Sequence, residues 1–396
     1  MKTDDFLKYQ AQTTPHPLQM VVSKAKGSYI FDDQEEAHLD FVAGVSACSL
    51  GHSHPAVIKA IKDQVDSYMH VMVYGEYALK PAVDYSKLLA DLLPNSLNCT
   101  YLVNSGTEAI EGSLKLARRV TGRSQIIAAK NAYHGNTMGS LSLMGKEENK
   151  KPFEPLIGDV DFIEFNCEED LSLITSKTAA VILETIQGGA GFIIPQNEYL
   201  KKVKARCTEV GALLILDEIQ PGFGRTGSLF AFEQFDCVPD ILVIGKGMCS
   251  GLPGGAFISS FEHMQLLSDH PKLGHITTFG GNPVIAAAAL ATLKELTKNN
   301  KQLIIETLKK EQLVREKLKH PLIKSIRGKG LMLALLFKNE AIANYLILEA
   351  AQNNLILFWL LFEKKAARIT PPLTISEEEL MKGCDIILSI LDTYPS

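Results

Sequence analysis

Between Thr100 and Ser259 the chain alternates between two hydrophobic patterns. Short runs of consecutive apolar residues recur at Thr100–Asn104, Gln125–Ala129, Val160–Phe165, Ala179–Glu184, Leu213–Asp217, Ile241–Gly245 and Gly255–Ser259. Most are apolar on both faces, as a buried sheet of parallel strands requires. Between several of them the period lengthens to that of a helix. The clearest cases are Thr107–Thr121, where Ile110, Leu114 and Ala117 share a face, and Asn197–Val210. This alternation predicts α/β layering with right-handed crossovers. Ligands of such sheets gather beyond the carboxyl ends of the strands, so the residues that close each run matter most.

The flanks read differently. A helical pattern from Pro283 towards Lys298 precedes a second one, Lys301–Lys319. Strands near Ile323–Arg327 and Leu331–Phe337 follow, then a helix over 340–352 and an amphipathic helix from Ser376. A smaller α+β unit is expected there. Ser28–Phe41 reads as a hairpin without a sheet of its own. The expected organisation is therefore an N-terminal segment, 1–54, joining the small domain; a large domain, 55–290; and a C-terminal small domain, 291–396. The length of 396 residues agrees with two domains, because single cores stop growing near about 250–300 residues.

Composition narrows the class. Forty basic against forty-five acidic residues give a net charge of −5, which argues against nucleic acid as a partner. The longest apolar run, Leu355–Phe362, is far short of the ~20 residues that span a bilayer. The N-terminus has no apolar stretch of the secretory type. Seven scattered cysteines with no CxxC pair suggest neither a disulfide framework nor a metal site. A cytoplasmic protein without membrane partner or metal is expected. HExxH and GxSxG are both absent, so metal and serine hydrolysis lose their usual signatures.

The strand ends carry the candidate chemistry. Leu213–Leu216 closes on Asp217-Glu218-Ile219-Gln220. That is either a polar turn or a buried carboxylate in need of a cation, such as a protonated ring nitrogen. Ile241–Ile244 closes on Gly245-Lys246-Gly247. Lys246 is either a surface lysine or an amine whose pKa burial lowers, able to form a Schiff base with an aldehyde. After Tyr101–Asn104 come Ser105-Gly106-Thr107-Glu108, a capping box or a helix N-terminus that receives a phosphate. Tyr133, followed by His134-Gly135, is a core tyrosine or a stacking aromatic; Glu184 opens a glycine-rich loop.

Together these segments resemble the class III aminotransferases, the fold type I enzymes dependent on pyridoxal 5'-phosphate that include the ornithine and acetylornithine aminotransferases. The resemblance runs from Leu39-Asp40-Phe41 and Gly51-His52 to Arg368-Ile369-Thr370-Pro371-Pro372-Leu373. Its specific stretches are Asn104–Ala109, Tyr133–Gly135, Asp217–Gln220 with Gly222–Gly227, Gly245–Gly247 and Thr278–Pro283. It implies an α/β fold whose large domain has a mostly parallel sheet, beside a smaller α+β domain. It also implies that Lys246 holds the cofactor and shuttles a proton, and that Asp217 keeps the pyridine nitrogen protonated. Gln220 would meet the phenolic oxygen, with Ile219 and Tyr133 on opposite ring faces and Glu184 beside them. Ser105, Gly106 and Thr107 would bind the phosphate, and Thr278 would complete that site in the other subunit of a homodimer.

The implied reaction is ping-pong transfer from an amino donor to a 2-oxo acid, 2-oxoglutarate in the first instance. Arg368 matches the arginine that grips a carboxylate, unless it is a surface residue beside Lys364 and Lys365. Two departures set this chain apart from the ornithine-type enzymes. Gly189 stands where they carry Glu, with Thr185 in place of Pro, and Val45 stands where they tend to have Tyr. Other class III chemistry on the same fold stays open: an omega-amino acid transaminase, an aminomutase or a decarboxylase.

Overall fold

The computed structural model describes residues 3–395 and gathers their strands into three sheets. At the N-terminal end lie Val22–Lys26 (β1), Tyr29–Asp32 (β2) and Ala37–Asp40 (β3). The middle of the chain supplies Cys99–Val103 (β4), Gln125–Ala129 (β5), Val160–Ile163 (β6), Thr178–Glu184 (β7), Leu213–Asp217 (β8), Ile241–Ile244 (β9) and Gly255–Ser259 (β10). The last third adds Ile323–Lys329 (β11), Met332–Phe337 (β12), Leu355–Ile356 (β13), Phe358–Trp359 (β14) and Ala366–Ile369 (β15).

The middle strands form one seven-stranded sheet in the order β4-β10-β9-β8-β7-β5-β6. Neighbours from β9 to β6 pair in parallel, whereas β10 is antiparallel to both β9 and β4. The reversal has a simple cause. Parallel neighbours need a crossover of a dozen or more residues. Between Ile244 and Gly255 the chain has only a short 3-10 turn, Lys246–Cys249. Every residue of β7, β8, β9 and β10 is buried, as their unbroken apolar runs require.

Helix Gly106–Thr121 follows β4 directly. The Ser105 hydroxyl accepts the Glu108 N–H at its start, and Gly122 ends it in the left-handed region at φ 66°. The helix lies hard against the sheet: a Cβ on Gly112 would come within 2.3 Å of the Phe257 ring of β10. The helix predicted from Pro283 runs to Lys317, with non-helical backbone at Lys298–Lys301. The two sequence patterns are thus two helices joined at Asn299-Asn300, residues that accept positive φ more readily than most.

The N-terminal hairpin finds its sheet at the other end of the chain. β13 pairs in parallel with β3, Leu355 against Leu39 and Ile356 against Asp40. Helix Glu377–Asp392 sits directly on the Phe41 ring, which a Cβ at Gly383 would strike at 2.1 Å. A second sheet of the last third, β11-β12-β15-β14, is antiparallel throughout. Among the described residues no helix is long and apolar enough to cross a membrane.

Candidate active site

The carboxyl ends of the parallel strands open onto one cavity of about 640 Å³. Its floor is set by β8. Asp217, the last residue of that strand, is buried, and its Oδ2 lies 2.8 Å from Nδ1 of the equally buried His134. Its Oδ1 accepts the backbone N–H of Ile219 at 2.9 Å. Burial opposes a charge on His134, yet the bond to Asp217 more than offsets this and raises its pKa. Nε2 of the same ring is buried without a partner.

Lys246 closes β9 next door. Its backbone sits at φ 40°, a conformation that side-chain-bearing residues adopt at some cost and that is over-represented at functional sites. Gly245 makes the turn possible, since a Cβ there would lie 3.3 Å from the Gly106 backbone. The strand end and the start of helix Gly106–Thr121 can therefore meet. Among the described residues the Lys246 amine has no ion pair or side-chain hydrogen bond. Burial pushes its pKa down against the opposing pull of Asp217, and the nearby Arg368 lowers it further.

The remaining walls come from loops that the strands fix in place. Gly106 packs on Ile219, so tightly that a Cβ would fall 2.7 Å from the Ile219 side chain. The Thr107 hydroxyl lies 2.8 Å from that of Thr137 and 2.7 Å from that of Ser140. Glu111 in turn accepts the backbone N–H groups of Gly139 (2.9 Å) and Ser140 (3.1 Å). Tyr133 follows β5 and is half-exposed to the cavity; its backbone N–H reaches Oε2 of Glu184 at 3.3 Å. The other oxygen of Glu184 accepts Gly188 N–H at 2.9 Å, and burial pushes this carboxyl up to about 7. Gln220 reaches the Ser46 hydroxyl at 3.4 Å.

Arg368 enters the cavity from β15. It is only 7% exposed, although Lys364 and Lys365 beside it are solvated. Its Nε donates to the Trp359 carbonyl at 3.0 Å, while Nη1 is buried with no partner. Burial alone brings its pKa down to about 10, so it is charged at neutral pH.

Nine of the eleven residues singled out in the sequence thus line one cavity. Ser105 is not among its lining residues; its hydroxyl accepts the Glu108 N–H and caps the helix. Nor is Thr278: it is exposed on a loop that Asn104 ties to the edge strand β4 through Thr277, at 2.8 Å. The sequence reading assigned no role to His134 or to the Thr137–Ser140–Glu111 group. His134 had one legible signal, its place beside an aromatic at a strand end in a sheet whose next strand but one closes on an acid.

This fold and this set of strand ends define a family, and the match is direct: the chain belongs to the class-III aminotransferases, whose family pattern covers residues 9–391. It is 37% identical over 375 residues to the acetylornithine aminotransferase of Clostridium acetobutylicum, covering 92% of this chain and 94% of that one. It is 36% identical to the putrescine aminotransferase of Pectobacterium atrosepticum, covering 98% of this chain and 87% of that one. Among solved structures it superposes on the ornithine aminotransferase of Toxoplasma gondii, described with pyridoxal phosphate at its active site. The TM-score is 0.89 at 30% identity, covering 98% of this chain and 94% of that one.

Proposed function

We propose that this chain is a pyridoxal 5'-phosphate-dependent aminotransferase that moves the amino group of an acetylornithine- or ornithine-like donor to a 2-oxo acid, 2-oxoglutarate first among them, in two alternating half-reactions. One observation carries the reading. Among the described residues, a lysine amine without a protein partner shares its cavity with a buried acid, a helix N-terminus and a guanidinium that has one nitrogen unpartnered.

The cavity fits the cofactor feature by feature. The free amine of Lys246 suits its aldehyde, and Asp217, steadied by His134, suits its ring nitrogen. The open start of helix Gly106–Thr121, with the Thr107 hydroxyl, suits its phosphate. Ile219 and Tyr133 offer apolar surface to its ring, and Gln220 an amide to its phenolic oxygen. Bound there, the cofactor supplies an electron sink for the carbanion formed when the substrate carbon loses a proton.

The protein's own tasks follow from its groups. Lys246, with its lowered pKa, would take the proton from the substrate carbon and deliver it to the carbon of the cofactor's former aldehyde. Glu184 holds Tyr133 and the loop at Gly188 in place. Arg368 grips a substrate carboxylate through the nitrogen that has no protein partner.

The working unit in this reading is a homodimer. Exposed apolar side chains, among them Tyr74, Tyr77, Val83 and Phe279, surround the β4 edge and the loop that bears Thr278, and a second copy would cover them. The β3–β13 pairing supports a small domain built from 1–54 and 291–396 around a large domain of 55–290. All seven cysteines are unpaired, as suits a reducing compartment such as the cytoplasm.

Purified protein given the cofactor should absorb in the visible. An amine donor alone should discharge that band once per site, and a 2-oxo acid should restore it. Isomerised or decarboxylated product with the band retained would place the enzyme among the mutases or decarboxylases instead.

A further inference from the structure

The turn that brings Val45 to the cavity has charged chemistry behind it. Ala43, Gly44, Val45 and Ser46 all stand in the left-handed region, at φ 49°, 59°, 60° and 69°. The three that bear side chains cost about 1 kcal/mol each or more, and such strain persists only where neighbours enforce it. Buried Asp40 enforces it. Its Oδ1 accepts the Val42 and Ala43 N–H groups at 2.7 and 3.0 Å, and its Oδ2 lies 2.8 Å from Nε2 of His52. The Cys48 N–H closes the turn on the Ala43 carbonyl at 2.9 Å.

These contacts gather a thiol and two cations. His52 is bonded first to Asp40 and next to the Cys48 thiol, which push its pKa up to about 10, so the ring is charged at neutral pH. Arg225 is fully buried, which brings its pKa down to about 9; Cys48 and Asp40 are the neighbours that oppose the fall. Its Nη1 donates to the Leu331 and Pro371 carbonyls, while Nε and Nη2 have no partner among the described residues. Two cations thus stand beside one carboxylate, and a thiolate at Cys48 supplies the missing negative charge. The sulfur is also within reach of solvent. Cys48 is partly exposed between two exposed glycines: an ideal Cβ would lie 3.4 Å from its Sγ at Gly44 and 3.5 Å at Gly251.

The other six cysteines lack this setting. Burial pushes up the pKa of Cys99, Cys207, Cys237, Cys249 and Cys384. Cys167 is partly exposed too, but its neighbour has the wrong sign. The Asp170 backbone favours a thiolate there, yet the Glu169 carboxylate that accepts its S–H at 3.2 Å outweighs this and leaves the pKa raised.

We propose that Cys48 is a thiol modification site, set by His52 and Arg225 to react with hydroperoxides. The thiolate sulfur attacks one peroxide oxygen, the O–O bond breaks and hydroxide leaves. Sulfur gives up two electrons to become a sulfenic acid, and the peroxide takes them. The site does not depend on which reaction the cavity performs.

The test exposes the holoenzyme to limiting hydrogen peroxide with a sulfenic-acid trap present, and peptide mass spectrometry follows each cysteine. Cys48 should be trapped at least about tenfold faster than Cys99 or Cys167, the other two partly exposed thiols. In His52→Gln, which keeps a hydrogen-bonding side chain and loses the charge, Cys48 should slow by about tenfold while Cys99 and Cys167 keep their rates. Wild-type protein alone gives the ranking, so a variant that fails to fold leaves the test intact. Cys48 untrapped or matched by Cys167 in the wild type, or equally fast in a folded His52→Gln, overturns the proposal.

Discussion

Replacing Arg368 by Met should make the protein more stable and less active at once. The folded-state pKa of Arg368 lies below its ordinary value of 12.5, at about 10, because burial disfavours the charged form. For a cation this means that folding is penalised wherever the group is charged, which includes all pH values below about 10. A displacement of that size corresponds to roughly 3 kcal/mol at 1.36 kcal/mol per pH unit, taken as a ceiling. Against it stands the bond from Nε to the Trp359 carbonyl, whose loss returns about 1 kcal/mol. The net expectation is a gain of about 1–2 kcal/mol at neutral pH, shrinking only as the pH rises past about 10. It is read as a later urea midpoint of the cofactor-free protein. Carboxylate substrates should meanwhile lose about 2–5 kcal/mol of transition-state binding, or between about thirtyfold and a few thousandfold in kcat/KM. A variant that unfolds earlier by more than about 1 kcal/mol would make Arg368 a structural strut. A variant with unchanged kcat/KM would remove it from substrate binding. Either result refutes the reasoning.

Other consequences follow from the same geometry. Because burial lowers the pKa of Lys246, its neutral form accumulates as the pH rises through that lowered value. Capture of pyridoxal phosphate by cofactor-free protein should therefore climb with pH and level off before the ordinary lysine value of about 10.4; a climb that continues past it contradicts the assignment. Gly112→Ala drives a methyl group to within 2.3 Å of the Phe257 ring, and overpacking of this kind costs about 1–3 kcal/mol, measurable as an earlier unfolding midpoint. Thr278→Ala should leave that midpoint unchanged, since the residue is exposed, yet raise the concentration of pyridoxal phosphate needed for half-saturation. Equal saturation curves would remove Thr278 from the phosphate site.

Much of the fold was legible because its strands are buried on both faces. Apolar runs such as Val181–Leu183 and Leu213–Leu216 admit little else between helical stretches. Strand direction was not legible from periodicity, which reads the same both ways; only the short link from Ile244 to Gly255 carried the sign that β10 turns back. The pairing of β13 with β3 was hidden for another reason. A two-residue strand has no period, and its partner lies more than three hundred residues away in the chain. At the site, single residues at strand ends, Lys246 and Asp217 foremost, were readable because charge is rare there. Ser105 shows the limit of that logic: one hydroxyl suits both a cap and a phosphate, and accepting the Glu108 N–H leaves its own proton free to donate. His134 shows the reverse, a functional partner created by the sheet order that sets β7 between β5 and β8.

The central claim is that Lys246 carries the cofactor, and chemical trapping addresses it most directly. Borohydride reduction of the protein after addition of pyridoxal phosphate fixes the cofactor to whichever lysine it has joined, and peptide mass spectrometry locates it. A single reduced adduct per chain, on the peptide containing Gly245-Lys246-Gly247 and absent from Lys246→Ala, is the predicted result. Adducts scattered over exposed lysines such as Lys364 and Lys365, with Lys246 unmodified, would contradict it.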